Sequence, residues 1–246
     1  MQIVFQGLVA LLVIALGVRL YRLSRRTGQT PEFWLGGFFG IVGLSIFLTP
    51  LGGQMNGSTL GRVLITAGQA ATTLGLICLI RFNWQVFRPD SGAARNFALL
   101  CGGLDLGCFL VAAWMGFGVA LQSGFGPFFI LSRLLIIGWA CFESTTHAIK
   151  MKKRRALGLA DPVVANRFVL WAIWTGVLAA LPIVVLIARL SGALVFATDG
   201  TGMTASTRVM FAFIASGAML AAVAVALAFF PPKRYQAWVR GGASAA

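Results

Sequence analysis

Residues 168–190 read FVLWAIWTGVLAALPIVVLIARL, a run whose only ionisable side chain is Arg189, next to its end. A helix of that length rises about 34 Å, enough to cross the ~30 Å hydrocarbon core of a bilayer. A barrel strand needs only about ten residues and alternates apolar with polar positions. This run is far longer and does not alternate, so it reads as a membrane helix. Six more runs of the same kind accompany it: Ile3–Leu23, Phe33–Leu51, Leu60–Ile80, Phe97–Leu121, Phe128–Ile149 and Val209–Phe230. Helix-stopping stretches separate them, among them Gly28-Gln29-Thr30-Pro31, Gly124-Phe125-Gly126-Pro127 and Asp161-Pro162. The 246 residues are 59% hydrophobic and 11% charged, with a mean hydropathy of +0.88, a balance foreign to a water-soluble surface. The expected fold class is all-α: a polytopic membrane protein whose residues 1–230 form a seven-transmembrane-helix bundle. Residues 231–246 are expected to form a short amphipathic tail. The connections are short except for Ser191–Thr207, and no soluble catalytic domain fits between the runs.

The net charge of +14 would suggest a nucleic-acid partner in a soluble protein. Its distribution argues otherwise. The connections after the first, third and fifth runs, together with the tail, carry sixteen of the twenty Lys and Arg residues. By the positive-inside rule the N-terminus lies outside and the C-terminus in the cytoplasm. The surplus charge is then accounted for by topology and by anionic lipids on the cytoplasmic side, with no nucleic acid needed. Lys150, Lys152, Lys153, Arg154 and Arg155 form the densest basic cluster, which is also suited to docking a protein partner with an acidic face. The first run ends in Arg19, Arg22, Arg25 and Arg26 rather than in a small-residue cleavage site, so it reads as a retained helix. In the tail, Tyr235 and Trp238 among Lys233, Arg234 and Arg240 suit a short amphipathic helix at the inner interface or a frayed end with one belt aromatic.

Small residues recur at four-residue spacing inside the runs, as in Gly36 and Gly40, Gly103 and Gly107, Ala71 and Gly75, and Gly217 and Ala221, a spacing that lets helix backbones approach closely. Pro182 is expected to kink the sixth run.

Ionisable groups inside a membrane are costly and are functional candidates by default. Counted from a turn around Gln122–Pro127, Asp105 and Glu143 fall at about the same depth, with Cys101 and His147 one turn nearer the cytoplasm. Cys101, Asp105 and Cys108 share one face at i, i+4 and i+7. The five residues form a candidate polar cluster, able to relay a proton or bind a transition metal, or simply hydrated near the interface. Toward the outside, Arg62, Arg133, Arg189 and Arg208 form a candidate anion or lipid site, their plainer reading being side chains that snorkel to the outer interface.

Absences narrow the function further. Every Lys lies outside the runs, so a retinal Schiff base in the seventh helix is excluded. His147 is the only histidine, which excludes a zinc site built from several histidines and a bis-His haem. The four cysteines, Cys78, Cys101, Cys108 and Cys141, all sit within runs, leaving none for an outer-loop disulfide. No P-loop, Cys-x-x-Cys pair or dinucleotide fingerprint occurs.

The layout of seven spans with a basic third inner loop resembles that of G-protein-coupled receptors in architecture only. More closely, RRTGQTPEFWLGG at 25–37 and FFPPKRYQAW at 229–238 resemble segments of bacterial seven-span membrane proteins without assigned activity. That resemblance implies an inner-membrane location for the whole chain and supplies no activity. The resulting expectation is a non-enzymatic bundle, receptor-like or accessory, that binds an apolar ligand or a partner protein. The alternatives are a proton- or ion-coupled transporter using Asp105, Glu143 and His147, and third, an enzyme acting on lipid or quinone.

Overall fold

The computed structural model describes residues 2–55, 58–191 and 205–244, with side chains described for 6–55, 58–191, 216–217 and 219–241. The connection at Ser191–Thr207 falls largely outside them, as does the side chain of Arg208. The described residues are mostly helical, with no strand among them. In order they form α1 (Gln2–Thr27), α2 (Thr30–Gln54), α3 (Thr59–Phe87), α4 (Gly92–Met115), α5 (Phe117–Gln122), α6 (Gly126–Ala156), α7 (Pro162–Leu190), α8 (Ala205–Phe229) and α9 (Lys233–Ser244). Six of them, α1 to α4, α6 and α7, are long and apolar enough to cross a membrane.

The helix starts follow local chemistry. Ser58 Oγ accepts from Gly61 N at 2.9 Å, Ser91 Oγ accepts from Ala94 N at 3.2 Å, and Asp161 Oδ1 accepts from Val163 N at 2.7 Å. Each satisfies a backbone donor that the first helical turn cannot use. Pro31 and Pro162 fall in the first turn of α2 and α7, where a missing N–H costs nothing. The fourth apolar run, expected as one helix over Phe97–Leu121, is instead divided. α4 stops at Met115 because Gly116 adopts φ +82°, a conformation that side-chain-bearing residues rarely take, and α5 begins after it.

The chain divides into two compact units, Met1–Ile136 and Ile137–Ala246, with the boundary inside α6. In the first unit α1, α2 and α3 pack through glycines. A Cβ added at Gly17 would fall on the backbone of Gly40 and 2.8 Å from Gly36 O, so these backbones touch where a side chain would hold them apart. Gly75 lies against Val42, and Ser45 Oγ meets Thr72 Oγ1 between α2 and α3. A Cβ at Gly103 or Gly107 would meet nothing within 4 Å, so that pair on α4 serves no contact among the described residues. A core of Cys108, Ala112, Phe117, Ala120 and Phe129 joins α4, α5 and the start of α6.

In the second unit, Ser144 Oγ on α6 and Thr175 Oγ1 on α7 lie 2.7 Å apart, and both residues are fully buried. Trp171 and Trp174 of α7 meet at a tilt of 53° with ring centroids 4.5 Å apart, and Phe229 of α8 meets Trp171 edge-on. α7 runs on through Pro182 to Leu190. α9 is joined to α7 by a hydrogen bond of 2.7 Å from Asn166 Nδ2 to Tyr235 Oη.

Candidate functional site

Asp105 is fully buried on α4, on the same face as the buried Cys101 and Cys108. A carboxylate there must find donors or destabilise the fold by several kcal/mol. It finds two on α6. Ser132 Oγ donates to Asp105 Oδ1 at 3.0 Å, and Arg133 Nε stands 3.6 Å from the same oxygen. Arg133 is itself well enclosed, at 17% exposure. Its Nη1 donates to Gln69 Oε1 at 2.8 Å, and its Nη2 reaches Thr73 Oγ1 at 3.5 Å. The Cζ of the guanidinium lies over the Phe129 ring, 4.2 Å from the centroid. One ion pair therefore ties α3, α4 and α6 together, with the cation further held by an aromatic face.

Asp105 and Arg133, which stood in two separate candidate groups, are thus partners within the first unit. Arg133 is held by Asp105 of the neighbouring helix, where guanidinium and carboxylate offset part of each other's loss of water. Arg62 is an exposed residue of the first turn of α3, and Arg189 is half-buried in the last turn of α7. α4 ends at Met115, α5 takes residues 117–122, and Asp105 meets Ser132 within the first two turns of α6.

Within the second unit, Glu143 is buried, and its Oε1 accepts from Trp139 Nε1 at 3.2 Å, one turn back on α6. His147 Nδ1 lies 3.0 Å from the backbone oxygen of Glu143, so that nitrogen carries the proton. The imidazole stacks on Phe168 with centroids 6.3 Å apart. The i, i+4 spacing of Glu143 and His147 thus sets the imidazole against the main chain of Glu143. Among the described residues no three His, Cys, Asp or Glu side chains come together to hold a metal ion. The basic cluster closes α6, with Lys150, Lys152, Lys153 and Arg154 exposed and Arg155 half-buried.

Ser132, Gln69 and Thr73 complete the buried network and were not singled out from the sequence. Gln69 and Thr73 carried a signal, since two polar residues one turn apart in an apolar run share a face. Ser132 carried none beyond standing next to Arg133. Comparison with family models, with curated proteins and with solved structures returns no match.

Proposed function

We propose that the chain is a non-enzymatic integral membrane protein, receptor-like or accessory, that binds an apolar ligand or a partner protein within or against its helices. It crosses a bacterial inner membrane seven times, with the N-terminus outside and the C-terminus in the cytoplasm. The six long apolar helices support a multi-pass arrangement. The 25 residues of α8, which rise about 37 Å, support a seventh span, and the basic residues gathered in alternate connections support the orientation.

The observation that carries the reading is the enclosure of Asp105. A carboxylate that exchanges protons or attacks a substrate must be reachable, yet Asp105 is fully buried and its Oδ1 is committed to Ser132 and Arg133. Its role is to hold three helices in place, which is the task of a scaffold for binding. Mass spectrometry of what copurifies with the full chain in mild detergent tests the proposal. A stoichiometric apolar molecule or protein is expected, and recovery of neither counts against it.

A second reading, proton- or ion-coupled transport, draws on one specific observation. Asp105 Oδ2 and Arg133 Nε are buried without a hydrogen-bond partner among the described residues, so the pair there is not fully satisfied. Flux in proteoliposomes that is lost in Asp105→Asn would put this reading first.

A further inference from the structure

The connection between α6 and α7 is short and closed by hydrogen bonds at both ends. At the end of α6, Gly158 takes φ +70°, its N–H bonds Arg155 O at 2.9 Å, and the N–H of Leu159 bonds Arg154 O at 2.9 Å. This is the Schellman arrangement, in which the residue after the glycine normally packs back on the last helical turn. Here the position it would pack on is Arg154, and Leu159 remains 74% exposed. Leu157, on the other side of the glycine, is 73% exposed. At the far end Asp161 caps α7. The turn is thus a built feature that presents two leucines outward, directly after exposed Lys150, Lys152, Lys153 and Arg154.

The second element lies close by. Tyr235 bonds Asn166, about one turn into α7, and Val239, one turn on from Tyr235, is buried. With that face held, α9 leaves Trp238 at 72% exposure among exposed Lys233, Arg234 and Arg240. Two separate elements of one unit therefore show the same pairing of large apolar side chains with a surround of cations. Water favours the cations but not the leucines. An anionic phospholipid leaflet favours both, with headgroup phosphates against the basic groups and the boundary of the acyl chains against Leu157, Leu159 and Trp238.

We propose that the Leu157–Leu159 turn and α9 together form a docking surface for an anionic phospholipid leaflet. It rests on the membrane reading above and adds that these two elements enter the interface and depend on lipid charge to do so. The test places a bimane label at Leu159→Cys in a full chain whose four native cysteines are replaced by alanine. The chain is reconstituted in nanodiscs of phosphatidylcholine alone or with roughly a third phosphatidylglycerol. Quenching by acrylamide is expected to fall on the order of tenfold when phosphatidylglycerol is present. It should stay high in phosphatidylcholine alone, and also when Lys152, Lys153, Arg154 and Arg155 are changed to Gln. Equal quenching in both lipids overturns the surface, and an acidic protein that alone protects the label does the same. A chain that does not enter nanodiscs overturns the membrane reading and the surface with it. Native mass spectrometry avoids the cysteine replacements: the unlabelled chain should retain more phosphatidylglycerol than its four-Gln counterpart, and equal retention refutes the proposal.

Discussion

Changing Arg133 to methionine removes the cation from Asp105 while keeping an apolar side chain of similar length against Phe129. At the observed separation of 3.6 Å, the pair interacts with about 4–5 kcal/mol at an effective dielectric of about 20. The same change breaks the hydrogen bond to Gln69 and leaves Asp105 with Ser132 alone in a fully buried site. The expected loss of stability is about 3–5 kcal/mol, the range for removing one partner of a buried pair. Asp105→Asn keeps an acceptor for Ser132 and strands a cation that still has Gln69, Thr73 and the Phe129 ring, so its cost is smaller, about 2–3 kcal/mol. Because the double variant carries no net charge in the site, its cost should fall short of the sum of the single ones by about 2 kcal/mol. Equilibrium unfolding of the purified chain by SDS titration in mixed micelles gives all three values. Additive single losses, or a loss below about 1 kcal/mol for Arg133→Met, would refute the reasoning that this pair fastens α3, α4 and α6 together.

Two further outcomes are expected. Gly17→Val should destabilise the α1 and α2 contact by several kcal/mol, because its Cβ falls on the Gly40 backbone, whereas Gly107→Ala should be neutral or stabilising by up to about 1 kcal/mol; the same titration separates them. Tyr235→Phe removes the acceptor for Asn166 Nδ2, so hydrogen exchange in α9 should quicken roughly fivefold while exchange in α1 to α4 is unchanged.

Much of the helical layout was legible in the sequence because a long apolar run needs no partner to be recognised. The run Phe168–Leu190 became α7, extended back to Pro162 by the cap at Asp161, and Phe33–Leu51 became α2, extended on both sides. The division at Gly116 was not legible, since one glycine among thirty gives no sign in its flanking residues that it takes a positive φ. Spacing along single runs put Asp105 and Arg133 in different candidate groups, whereas Arg133 Nε stands 3.6 Å from the carboxylate. The buried face of Cys101, Asp105 and Cys108 was readable from helical periodicity, which fixes who shares a stripe on one helix. Periodicity does not fix which stripe on another helix faces it, and the Asp105 and Arg133 pair is a fact of that second kind.

The length of α6 has a mechanical consequence. Its 31 residues rise about 46 Å, against about 40–45 Å for a bilayer measured across both headgroup layers. Were α6 straight and confined to that thickness, it would lean by roughly 10–30° from the membrane normal, within the range that spanning helices adopt. A thicker bilayer would stand it upright, and a thinner one would tip it further. Bilayer thickness would then set the inclination of the helix that carries Arg133.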